Sequence, residues 1–132
     1  MLVENVMTSA DKLIKISPMA TVREALRLMR INKVRSVIVN KNSENGAYGL
    51  VTFKNILQSI VAEDGDIDLL NVYDIAAMPA ISVSAKLNVQ YASKMMVTSS
   101  IKRLLVIDNN ELQGILTMTD IIEVLMDSVE GV

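Results

Sequence analysis

Gly114 to Asp120 reads GILTMTD and Gly49 to Asn55 reads GLVTFKN, so Gly, two apolar residues, Thr, two further residues and an Asx recur 65 positions apart. Thr117, Thr119 and Asp120 are the side chains whose types and spacing suit chemistry. A strand that ends in Thr and runs into an apolar helix is a strand-to-helix turn, and S/T-x-x-D is the spacing of a capping box. Such a turn also faces a helix N-terminus, whose unpaired N–H groups and positive dipole end suit phosphate. The Thr hydroxyls can donate to phosphate oxygens, and a carboxylate beside them can accept two hydroxyls, as a ribose diol offers. Capping and ligand binding both stay open for these residues, and one does not preclude the other.

The first copy of the turn departs from the second. Thr52 is kept, but Asn55 replaces the Asp and Lys54 replaces the second Thr. An amide has one acceptor oxygen and no charge, and hydrogen bonds to charged groups contribute about 1.5–3 kcal/mol against about 1 for neutral ones. Thr52 and Asn55 are therefore expected to form the weaker site. Cations suited to phosphate precede the central strands: Lys102 and Arg103 before Leu104, and Arg35 before Ser36. Solvated strand ends are the alternative for all three. Arg23, Arg27 and Arg30 have helical spacing and read as an exposed face.

Composition narrows the classes. The chain has 132 residues, 51% hydrophobic, with a net charge of −2 and neither Cys nor His. That length suffices for one real core. The absent Cys and His remove thiol and Ser–His–Asp catalysis and leave no N/S ligand set for zinc. A slightly acidic chain has no general attraction for nucleic acid or anionic membrane. No apolar run approaches the roughly 20 residues of a spanning helix, and no secretory signal is evident, so a cytoplasmic protein without membrane insertion is expected. The nine Met read as flexible packing residues rather than a copper site.

The elements that position these residues repeat along the whole chain. Val37–Val39 answers Leu104–Val106 at an offset of 67, as Ala25 answers Ala92 and Met29 answers Met96. The change from 67 to 65 places a two-residue deletion in the second hairpin loop. Each copy reads strand, helix, strand, strand, helix: Ile14–Ile16, a helix capped by Thr21 and Glu24, Ser36–Val39, Tyr48–Val51, then a closing helix with Ile56, Leu57, Ile60 and Val61. The second copy runs Ile81–Val83, the Val89/Ala92/Met96 stripe, Leu104–Ile107, Leu112–Leu116, then Ile121 to Leu125. Val3–Val6 leads into the first copy as Val72–Ile75 leads into the second. The expected division is residues 1–62, an acidic linker at 63–71, and residues 72–132. The expected fold is α/β, two βαββα-type repeats packed about a pseudo-twofold.

These motifs together resemble a tandem pair of cystathionine-β-synthase (CBS) domains, the Bateman module. The carrying residues are Asn5–Thr8, Thr21–Ala25, Met29, Val37–Val39 and Gly49–Thr52, then Val72–Ile75, Ala92, Met96, Lys102–Asp108 and Gly114–Asp120. The resemblance covers nearly the whole chain. It implies a sensor that binds an adenosine-containing ligand (AMP, ADP, ATP or S-adenosylmethionine) between the repeats and signals to a separate effector protein. It places ribose on Asp120, phosphate on Thr117 and Thr119 with Arg35, Lys102 or Arg103, and adenine in an aliphatic slot by Ala80 and Ile81, or by Ile14 in the first copy. No resident cofactor is implied, only the ligand, with Mg accompanying a nucleotide. Homodimerisation through apolar closing-helix residues (Ile56, Ile60, Ile122, Met126) is also expected. A nucleic-acid-binding accessory protein and an enzyme working through carboxylates, with Asp120 and Glu123 as its pair, are the other classes.

Overall fold

Alternating and helical apolar patterns settle, in each copy, into a small sheet backed by helices. The computed structural model describes residues 1–130; Gly131 and Val132, at the end of the expected second repeat, lie outside the described residues. In chain order the elements are β1 (Thr8–Ser9), β2 (Lys15–Ile16), α1 (Val22–Asn32), β3 (Ser36–Val39), β4 (Gly49–Thr52), α2 (Phe53–Ile56), α3 (Val72–Ile75), β5 (Ser82–Val83), α4 (Val89–Ser99), β6 (Arg103–Asp108), β7 (Glu111–Thr117) and α5 (Met118–Glu130). A π-helical stretch, Leu57–Ala62, continues α2.

Two compact units result: Leu13–Ala80, and Met1–Lys12 together with the chain from Ile81 onward. In the first, β2 lies parallel to β3 and β3 antiparallel to β4. In the second, β5 lies parallel to β6, β6 antiparallel to β7, and β1 antiparallel to the outer edge of β7. Each unit has its own core. One gathers Val22, Ala25 and Met29 of α1 with Val37, Val39 and Val51; the other gathers Ala92 and Met96 of α4 with Leu104, Val106 and Leu116.

The helices begin and end as their sequences ask. Thr21 Oγ1 accepts from the Glu24 N–H at 3.2 Å, half of the expected box. Asn88, an acceptor directly before the apolar stripe, caps α4 through the Gln90 N–H at 2.9 Å. Helices α1 and α4 each stop at a left-handed residue, Lys33 and Ser100, both with φ 55°, which turns the chain back into the sheet.

The lead-in segments pack differently from their order in the sequence. Val3 is fully buried in the core around α4. Its N–H donates to Leu87 C=O at 2.8 Å, and the Val89 N–H donates to Met1 C=O at 2.9 Å. The equivalent Val72, also fully buried, joins the core around α1, and its N–H donates to Ala20 C=O at 2.8 Å. Each sequence copy therefore supplies its lead-in to the sheet of the other. The repeating glycines explain themselves here. A Cβ on Gly114 would run into the carbonyl oxygen of Thr8, and one on Gly49 would press on Met78 and on the Ala77 carbonyl oxygen. The closing-helix expectation needs correction. Ile56 is buried and Ile60 packs against the core, whereas Phe53, Leu57 and Val61 face outward. Ile56 and Ile60 lie four apart on one face that the core covers, so neither offers the exposed surface expected for homodimerisation.

Candidate functional site

β7 runs without a break into α5, so Thr117 sits at the strand end and at the helix N-cap together. The Thr117 N–H donates to Asp120 Oδ2 at 2.9 Å, and the Asp120 N–H donates to Thr117 Oγ1 at 3.1 Å. This reciprocal pair is the capping box read from the sequence. It occupies one acceptor position of a carboxylate that has about four, so Asp120 keeps capacity to accept hydroxyls. Thr119 is exposed on the first turn of α5.

The neighbouring strands bring further predicted residues to the same sheet end. Arg103 pairs with Thr117 across the β6–β7 ladder. The Met118 N–H donates to Lys102 C=O at 3.0 Å, and the Leu105 N–H donates to Ile81 C=O at 3.0 Å. Ile81, Lys102, Arg103, Thr117, Thr119 and Asp120 thus gather at one end of one unit. Among the described residues neither Lys102 nor Arg103 forms an ion pair. Ile81 is half exposed and offers aliphatic surface there.

The other unit repeats the arrangement with poorer chemistry. Ser36 pairs with Thr52, the Phe53 N–H donates to Arg35 C=O at 3.1 Å, and the Ile38 N–H donates to Ile14 C=O at 3.0 Å. Asn55 Oδ1 accepts from both the N–H and the hydroxyl of Thr52, at 2.9 and 3.1 Å. Both lone pairs of its only acceptor oxygen are thereby spent. What Asn55 can still offer is its amide N–H groups. Ile14, Arg35, Thr52 and Asn55 are together; Ala80, expected beside Ile81, precedes it in the chain, and its N–H donates to Tyr48 C=O at 3.0 Å.

Two features escaped the sequence reading. Asp108, at the far end of β6, is held below the usual carboxylate range, first by the Ser84 hydroxyl and then by the Ala85 N–H at 3.0 Å, with Lys86 nearby. It fastens the loop after β5 to the hairpin, and the repeat gave no hint of it because Lys41 stands at the equivalent place. The second is a groove of about 480 Å³ between α4 and α5, lined by Val89, Val97, Ile121, Val124 and Leu125, with Val6 and Lys94 beside them. Among the described residues there is no cluster of acidic side chains able to hold a metal, and no helix is long and apolar enough to cross a membrane.

The duplicated turn, the duplicated sheet and the duplicated lead-in find one match among known families. The family model of the CBS domain fits twice, over residues 3–62 and 72–127. The chain belongs to the CBS-domain family. A CBS pair is a regulatory, ligand-binding module, and its solved members share this mixed α/β fold. An uncharacterized protein of Methanopyrus kandleri is 33% identical over 109 residues, 82% of this chain and 55% of the relative. The chain thus spans little more than half of that relative's length. A hexameric CBS-CP12 protein from bloom-forming cyanobacteria superposes with a TM-score of 0.83 at 32% identity, over 92% of this chain and 69% of that one. CBSX2, solved in complex with AMP, shares the fold with a TM-score of 0.79 at 23% identity, over 96% of this chain and 97% of that one.

Proposed function

We propose that this CBS pair is a sensor that binds an adenosine-containing ligand at the Thr117–Asp120 turn and reports occupancy to a partner protein. The contrast between the two turns carries the reading. Both close the same cap, but Asp120 retains acceptor capacity and a charge, while the oxygen of Asn55 is saturated by Thr52. Asp120 then takes ribose hydroxyls, the α5 N-terminus with Thr117 and Thr119 takes phosphate, Lys102 and Arg103 supply positive charge, and Ile81 supplies apolar contact for a base. The CBS fold solved with AMP supports adenine as the base. Mg²⁺ enters only as the counterion of a nucleotide. Arg35, Thr52, Asn55 and Ile14 form the weaker counterpart.

Asn55 also supplies the decisive variant. Because an Asn closes this cap in the first copy, Asp120→Asn keeps the helix start and removes only the charge. A ligand at 100 times its dissociation constant raises stability by about 2.7 kcal/mol. Melting temperatures with AMP, ADP, ATP, S-adenosylmethionine, uridine and inorganic phosphate are to be compared for the native chain and Asp120→Asn. The expected result is a rise of several degrees with one or more adenosine compounds, none with uridine or phosphate, and none in the variant. An equal rise with every phosphate compound would instead mean anion binding at a helix end, and the sensor reading would fall.

A further inference from the structure

The two repeats differ along one helix face. At the offset of 67, Ser93 of α4 stands where α1 has Leu26, and Gln90, Lys94 and Val97 stand where α1 has Arg23, Arg27 and Arg30. Leu26 packs against the core of its own unit. Ser93 is too short to do the same, and its hydroxyl folds back on its own helix, donating to Val89 C=O at 2.7 Å. Ser93 lines the groove of about 480 Å³ between α4 and α5, a volume within the range of about 300–1,000 Å³ of small-molecule sites. The groove lies wholly within one unit.

Its walls are aliphatic: Val89 and Val97 on α4, Ile121, Val124 and Leu125 on α5. Val97 and Leu125 remain 73% and 58% exposed, and open apolar surface in a concave site marks a place for a ligand. From Val89 to Val97 the α4 wall rises about 12 Å, which suits an extended alkyl chain better than a flat ring. Lys94 is the one charged side chain on the lining, and no acid joins it there. Among the described residues it makes no ion pair; its ammonium lies 6.0 Å from the Tyr91 ring centroid. Of three cationic positions on the α1 face, α4 keeps only this one. An aliphatic trough with a single unpaired cation is complementary to a molecule with an apolar body and one negative end.

We infer that the groove between α4 and α5 binds a free fatty carboxylate of medium chain length, its carboxylate at Lys94 and its alkyl chain between the two helices. The first repeat has no such site, because Leu26 and Ile60 pack inward at the corresponding places. The groove shares no lining residue with the Thr117–Asp120 turn, so the inference stands or falls separately from nucleotide binding.

Calorimetric titration of the intact chain with decanoate, kept below its micelle concentration, tests it. Saturable binding of decanoate is expected, and none of acetate. Ser93→Leu introduces the first-repeat residue and fills the groove, so it should weaken decanoate at least about tenfold without lowering the melting temperature. Val97→Glu, at a position exposed enough to spare the fold, should weaken decanoate and uncharged decanol alike. Lys94→Glu should weaken decanoate several-fold and leave decanol unchanged. Binding that does not saturate, Ser93→Leu and Val97→Glu chains that titrate like the native one, or equal effects of Lys94→Glu on decanoate and decanol would each overturn the inference. Absence of decanoate binding together with a changed mass of Ser93→Leu in light scattering would assign the groove to a second copy of the chain, and overturn it as well.

Discussion

Gly114 and Gly49 hold corresponding places in the two copies, yet the structure makes them unequal. At Gly114 an added Cβ meets first the backbone carbonyl oxygen of Thr8, whereas at Gly49 it meets first the side chain of Met78 and, less closely, the backbone carbonyl oxygen of Ala77. Forcing atoms into packed space costs about 1–3 kcal/mol, and more when backbone must shift. Gly114→Ala should therefore be the more destabilising of the two in denaturant unfolding; a larger loss for Gly49→Ala would contradict the assignment. Asp108 makes a second residue-scale prediction. Its carboxyl is held below its ordinary value of 3.8, so the folded state favours the ionised form. That stabilisation is present above the ordinary value and is lost as pH falls through the folded one. The melting temperature of the native chain should thus drop below about pH 4 more steeply than that of Asp108→Asn. Parallel slopes would show that the Ser84 and Ala85 hydrogen bonds do not distinguish the charged form.

Among the elements, the lead-in Met1–Lys12 shows where local pattern stops being informative. The strands β3, β4, β6 and β7, the long helices α1 and α4 and the capping turn at Thr117 were all legible, because each is specified by residues within a few positions of one another. The partner of Val3 was not, since the residues around it (Leu87, Ala92, Met96) lie some eighty to ninety positions away and no periodicity records such a pairing. The exposed face of the first closing helix was misread for a different reason: two apolar pairs, Ile56 with Ile60 and Leu57 with Val61, share the same spacing, and only packing decides which one the core takes. Of the site, the side-chain types and the inequality of the turns were readable, but the saturation of Asn55 by Thr52 required coordinates. Chain ends usually tolerate change, so the burial of Val3 gives a sharp test. Val3→Ala removes two methyl groups from a fully buried position and should destabilise by about 2 kcal/mol. Hydrogen exchange should report the loss in β6 and β7 rather than in β3 and β4. A change within a few tenths of a kcal/mol, as expected of an unconstrained terminus, would show that the lead-in is not part of that core.

For the whole molecule, the ligand turn and the surface expected for association of copies share one element, since Thr117 caps the helix whose next turns carry the exposed Ile122 and Met126. A ligand shifts an equilibrium only by its difference in affinity between two states. If the adenosine ligand of the proposed function tightens or relaxes the start of α5, association is one equilibrium available to it. Couplings between sites typically amount to about 1–3 kcal/mol, a factor of roughly 5 to 150 in an equilibrium constant, and they are reciprocal. The expected outcome is therefore double. A saturating ligand should change the association constant by a factor in that range, measured by sedimentation. Raising the protein concentration through the association range should change the apparent ligand affinity by the same factor and in the same direction, measured by titration. A chain carrying Ile122→Glu with Met126→Glu, which removes the expected association surface, should bind the ligand with an affinity independent of concentration. If the native chain binds with the same affinity whether associated or dispersed, α5 does not link the two events, and the signal to a partner protein must leave the module by another surface.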